Sequence, residues 1–175
     1  MRVYVPATLP MLRRLVADGV LDPIGGTAFA LTPTLRETYL GDDPEELEYV
    51  AMRDAARASL RLLAVELVDE QGEASGEKAW ARRVVVAADT DSAVARPDLD
   101  DAAVRMAGSI PMSAVAAVHI DDPDAEHAVR QAAASVDAAD LGDPDAEFLL
   151  GEAEDYELAW YDPSELPFLL ELLDL

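Results

Sequence analysis

The chain has 175 residues, enough to bury a core without staples, and carries 36 acidic against 13 basic residues for a formal net charge of −23. So negative a surface repels nucleic-acid phosphates and anionic membranes, which argues against direct nucleic-acid binding and against a membrane role. No cysteine is present, which excludes disulfides, thiolate zinc sites, iron–sulfur clusters and a cysteine nucleophile, and suits a reducing cytoplasm.

Residues 2–5, RVYV, read as a short strand ended by Pro6. Thr8 is placed to N-cap a helix over 9–18, with Pro10 in its first turn and Gly19 as its stop. Pro6 and Pro10 interrupt the apolar start and no small-residue cleavage site follows, so no secretory signal is expected. Residues 20–34 read as loop around a short strand at 28–32, and 35–40 as a helical turn. Asp43-Pro44-Glu45-Glu46 is a helix start, with an N-cap aspartate, proline at the first position and early glutamates. The helix is predicted to run to about residue 68, roughly 36 Å at 1.5 Å per residue. Leu47, Ala51, Ala55, Ala58, Leu62 and Val65 recur at spacings of 3 and 4 and mark its predicted buried stripe.

Residues 69–80 are polar and glycine-containing and read as an exposed loop. Residues 83–88, RVVVAA, have the β-branched content of a buried central strand. An acidic loop over 89–101 follows, then strands at 103–107 and 114–120 separated by a turn at Pro111-Met112-Ser113. Asp122-Pro123 starts a helix to about 135, and Asp143-Pro144 another to about 154. Residues 156–161, YELAWY, alternate as a strand, and a last helix takes up 165–173. The order β-α-(β)-α-β-β-β-α-α-β-α predicts a single α+β domain over 1–175: a mixed β-sheet of about five strands, helices packed on it, and one long central helix.

YVPATLPMLRRL (4–15) and YDPSELPFLLEL (161–172) match ungapped at Tyr, Pro, Leu, Pro, Leu and Leu. Each position has a structural reason: a strand halted by proline, a proline in the helix's first turn, and leucines at relative spacings 0, 3 and 6. The reading is one strand-to-helix joint used twice, with duplication of a half-domain as the alternative. Asp43, Asp122, Asp143 and Asp162 each precede proline, and helix capping accounts for them better than catalysis or metal binding.

Three sets of residues could carry chemistry. Asp89 and Asp91 follow the predicted buried strand, where strand-end carboxylates can hold magnesium for phosphoryl chemistry, but no Gly-rich phosphate loop accompanies them. His119, near a strand end beside Asp121 and Asp122, could act as a general base; it and His127 are the only histidines, too few for a metal site. Arg53, Arg57 and Arg61, with Tyr49 before them, recur at i, i+4 on the long helix. They suit an anionic ligand or a partner's acidic patch, or else pairing with acids of the same domain. No cofactor and no metal is implied. The expectation is a cytoplasmic, non-catalytic binding or protein-interaction module with a protein partner. The alternatives are a small-ligand-binding protein or metal-assisted enzyme using Asp89, Asp91 and His119, or an acidic nucleic-acid mimic.

The segments MRVYVPATLPML, LEYVAMRDAARASLRLL, RRVVVAADTD, AVHIDD and AEDYELAWY resemble a family of short, acidic actinobacterial proteins of unknown function, over nearly the whole chain. The resemblance implies an intracellular bacterial protein from a GC-rich host, in keeping with twelve arginines against the single Lys78. It carries over no fold, cofactor or catalytic residue.

Overall fold

The computed structural model describes residues 1–41, 43–72 and 80–173, and of residues 68–72 the backbone alone. Strand β1 (Arg2–Ala7) is buried at every position after Arg2, so it is apolar on both faces. It does not end at Pro6, as the sequence suggested, but runs on to Ala7. β3 pairs with it only at Val3 and Tyr4, so at Pro6 one side of the strand has no ladder to break. Helix α1 (Leu9–Asp18) ends at Gly19, whose φ of 78° is the left-handed C-cap conformation. Thr8 makes no side-chain cap; its hydroxyl donates to Glu66 Oε1 at 2.7 Å instead.

After β2 (Val20–Leu21) come β3 (Thr27–Ala30) and the short helix α2 (Pro33–Thr38), capped by Thr32. Helix α3 (Pro44–Gly72) starts at Asp43, whose carboxylate accepts from the Glu45 N–H at 3.0 Å. The helix thus occupies residues 69–72, which the sequence reading gave to a loop; the rest of that loop, 73–79, lies outside the described residues. Then follow β4 (Val84–Asp89), β5 (Ala93–Ala95), β6 (Ala103–Met106), β7 (Ile110–Pro111), β8 (Val115–Ile120), α4 (Glu126–Asp140), α5 (Pro144–Glu154), β9 (Ala159–Tyr161) and α6 (Leu166–Leu172).

Among the described residues the main sheet has seven strands in the order β5-β6-β3-β1-β4-β8-β9, and every pairing is antiparallel. The expected mixed sheet of about five strands is corrected on both counts. β5 is three residues inside an acidic stretch, too short to show a period of two. The sheet is antiparallel at β8–β9 because the intervening helices come as a pair: α4 and α5 run out and back, so the chain re-enters at the end of β8 it left, with Ala159 opposite Ile120. β2 and β7 form a separate two-stranded pair.

Alternation along the strands sends Val3, Val5, Val84, Val86 and Val118 to one face, where they meet Leu9, Leu12 and Leu15 of α1 and Leu166 and Leu170 of α6. Tyr4, Phe29, Val85, Ala87 and Ala117 go to the other face and meet Leu47, Ala51, Ala55 and Ala56 of α3. Small residues at the centre of this contact let α3 lie close on the sheet. Farther along, the helix's apolar side turns to Leu60, Leu63 and Leu67, which pack with Val129, Ala132, Val136 and Leu150 of α4 and α5. The predicted stripe therefore holds only over Leu47, Ala51 and Ala55. Ala58 and Leu62 are half-buried and Val65 is 64% exposed, because the second half of α3 packs on helices as well as on strands.

Ser59 ties the two layers together. Buried on α3, its hydroxyl donates to the Ala7 carbonyl at 2.8 Å and accepts from the Val84 N–H at 3.1 Å.

Candidate functional site

α3 covers the centre of its face of the sheet and leaves the β8–β9 side open. A cleft of about 280 Å³ fills that gap. One wall is α3, with Tyr49, Met52, Arg53, Ala56, Arg57 and Leu60. The floor is His119 of β8 and Trp160 of β9, which stand opposite each other in the ladder. The far wall is the chain from the end of α5 into β9: Glu154, Tyr156, Glu157 and Leu158. The sequence reading placed a strand over 156–161, but β9 begins only at Ala159, because the Tyr156 carbonyl accepts from Arg83 NH2 at 2.9 Å and not from a neighbouring strand.

Arg83 is the residue that builds this wall. It is 3% exposed and pairs with Asp121, itself 1% exposed. Asp121 Oδ2 accepts from the Arg83 backbone N–H at 2.7 Å and from Nε at 2.8 Å, and Oδ1 accepts from NH2 at 2.8 Å. One guanidinium thus fastens the start of β4, the end of β8 and the α5–β9 segment. The sequence offered RRVVVAA and AVHIDD as separate strands, and nothing in their spacing announced a shared ion pair.

Tyr49, Arg53 and Arg57 line the cleft, and so does His119, which the sequence groups with Asp89 and Asp91. Arg61 lies outside it, held bidentately by Asp140 through Nε and NH2, both at 2.9 Å. Arg57 divides its NH2 between Asp140 at 3.3 Å and Glu147 at 3.1 Å. These two arginines clamp α3 to α4 and α5. Together they hold the Asp140 carboxyl below the usual carboxylate range, the Arg61 hydrogen bond being the largest cause. Arg53 is looser, 3.9 Å from Glu154, and 58% of its side chain is exposed. Of the arginine row, it is the one most open to a bound group.

Asp89 and Asp91 are not brought to His119. His119 pairs with Val85, and Asp89 lies four residues farther along β4, about 13 Å away at strand spacing. Asp89 is exposed and engaged by Arg2, with Nε to Oδ1 at 2.9 Å, and that hydrogen bond lowers its pKa. His127 is exposed on the first turn of α4. Among the described residues no group of three or more histidine, aspartate or glutamate side chains is placed to hold a metal ion.

The Asp-Pro pairs divide. Asp43 and Asp143 cap α3 and α5, and Asp162 forms a capping box with Glu165, whereas the Asp122 side chain makes no cap bond.

The cleft is mainly apolar and aromatic. Trp160 is 59% exposed, Tyr49 51% and Tyr156 42%, and the three rings share one concavity. Burial holds the His119 imidazole below its ordinary pKa, so at neutral pH it is uncharged, one nitrogen a donor and the other an acceptor. The arrangement can bury a flat apolar group against Trp160 and offer it one imidazole, one loosely held guanidinium and the carboxylates of Glu154 and Glu157.

Fold and site define an α+β protein with a seven-stranded antiparallel sheet and an aromatic cleft beside one sheet edge. The chain belongs to a family of unknown function (DUF6912), whose model matches residues 1–170. No curated protein and no solved structure matches it. No described helix is long and apolar enough to cross a membrane.

Proposed function

We propose that this protein is a binding module that works through the cleft between α3 and the β8–β9 edge, taking an apolar or aromatic group of a partner and not carrying out bond-making chemistry. The observation that supports this most is the grouping of three exposed rings, Tyr49, Tyr156 and Trp160, around one open concavity. Concave, mostly apolar surfaces with a few polar groups are where ligands bind. Aromatic residues are also the ones that carry most binding energy at protein contacts. The enzyme alternative groups Asp89 and Asp91 with His119, and Asp89 ends β4 four residues from Val85, the ladder partner of His119. A cytoplasmic, bacterial setting fits the absence of cysteine and the preference for arginine.

The test is a fragment screen by two-dimensional NMR on the whole chain. Aromatic fragments are expected to shift the Trp160 indole and His119 ring signals together, and Tyr49→Ala is expected to weaken them. Hits scattered over the surface with those two rings unmoved would overturn the reading.

A further inference from the structure

Among the described residues β9 is the last strand of the sheet, so one side of its backbone has no strand partner there. Natural proteins blunt such edges with short strands, lysine, proline or an inward charge, because an open edge recruits another strand. The residues of β9 are Ala159, Trp160 and Tyr161, and Trp160 is 59% exposed at its centre. At the opposite edge, β5 is followed directly by Arg96, which is paired with Asp98 at 2.8 Å. The β9 edge, three residues long and followed by Asp162-Pro163, carries no lysine or arginine and is the edge beside the cleft.

We infer that the cleft's occupant is an extended peptide that adds as a strand to β9 and seats one large apolar side chain against Trp160, with lysine or arginine on either side of it. The inference rests on the cleft reading and names the partner for it. A strand added about 4.8 Å beyond β9 sends alternate side chains to the α3-facing side, next to Trp160 and Leu158, within reach of the open volume. Backbone pairing supplies affinity and the pocket supplies selection, as in other strand-addition contacts.

Charge decides the flanking residues. Residues 154–165 read EDYELAWYDPSE, with five carboxylates and no lysine or arginine. Asp162 and Glu165 are used in their capping box, and Glu154 faces Arg53. Asp155 and Glu157 are exposed, and their carboxylates make no hydrogen bond or ion pair among the described residues. The net charge of −23 steers a basic segment toward this edge and repels an acidic one.

The probes are a synthetic Lys-Lys-Val-Trp-Val-Lys-Lys peptide, its Glu-flanked counterpart, a version of the basic peptide N-methylated at alternate residues, and N-acetyltryptophanamide. The basic peptide is expected to bind at least about tenfold tighter than the acidic one, with the difference shrinking in salt. It should protect β9 amides from hydrogen exchange, and N-methylation should abolish that protection. Trp160→Lys, a change at an exposed position, is expected to remove binding without unfolding the chain. If N-acetyltryptophanamide shifts the Trp160 and His119 signals but neither peptide protects β9 nor charge matters, strand addition is wrong and the cleft is a small-molecule site. If none of the four probes moves those signals, the cleft reading fails with it.

Discussion

Removing the Asp121 carboxylate by Asp121→Ala would strand the Arg83 guanidinium in the interior. The pair is almost fully enclosed, with side-chain exposures of 3% and 0%, and three hydrogen bonds end on Asp121, one of them from backbone. Breaking a buried pair by deleting one partner costs about 3–5 kcal/mol, because the remaining charge is left without compensation. In a chain of this size each kcal/mol moves the melting temperature by about 2–4 °C, so the expected drop is roughly 6–20 °C. The assay is thermal and urea unfolding of the wild type, Asp121→Ala, Arg83→Met and the double variant Arg83→Met/Asp121→Leu. The double variant is expected to recover part of the loss, since it buries no charge but leaves the Arg83 N–H and the Tyr156 carbonyl without these partners. Hydrogen exchange should report faster opening at Tyr156–Leu158 in Asp121→Ala, because Arg83 also holds the Tyr156 carbonyl. A loss under about 1 kcal/mol would refute the reasoning, since that is the range of an exposed pair.

Ser59→Ala removes the bridge from α3 to β1 and β4 and leaves the Val84 N–H unsatisfied in a buried setting; a cost of about 1–3 kcal/mol is expected in the urea midpoint with unchanged slope. Asp54 on α3 is pushed up to about 7, first by burial and then by the Asp100 carboxylate. The folded chain therefore binds more protons than the unfolded one between the ordinary carboxylate range and about 7. Stability from this site is present below that window and is lost as pH rises through it. Asp54→Asn is expected to flatten the fall in melting temperature between acidic and alkaline pH and to stabilise at pH above 7; an unchanged slope would count against it. Asp140 is the opposite case, a carboxyl held low by Arg61 and Arg57, so its contribution is present above the ordinary carboxylate range and lost as pH falls through the lowered value. Arg61→Met should cost up to about 1 kcal/mol at neutral pH, and less in acid, because the pair is partly exposed.

The twin segments show how far sequence reached. In both joints a proline falls in the first helical turn, and Leu9 and Leu166 are buried on the same face of the sheet. The matched tyrosines do not correspond: Tyr4 faces α3, whereas Tyr161 packs toward α1 and α6. β1 extends to Ala7 while β9 stops at Tyr161, so the two strands meet the sheet with opposite parity. Leu172, matched to the buried Leu15, is 85% exposed. A shared local joint is written in twelve residues; which face each strand shows depends on its partners.

The sequence by itself determined what is local. Asp43, Asp143 and Asp162 as caps, Gly19 as a stop, and the apolar runs of β4 and β8 follow from backbone chemistry and periodicity over a few residues. Tertiary structure alone decided the site. Arg53 and Arg57 on α3, His119 on β8 and Trp160 on β9 come together because α3 covers only the middle of the sheet and because the α4–α5 pair returns the chain beside β8. Arg83 and Asp121, 38 residues apart, then fix the remaining wall. Contacts at such separations leave no periodic trace in the chain, since each partner also obeys its own strand's alternation.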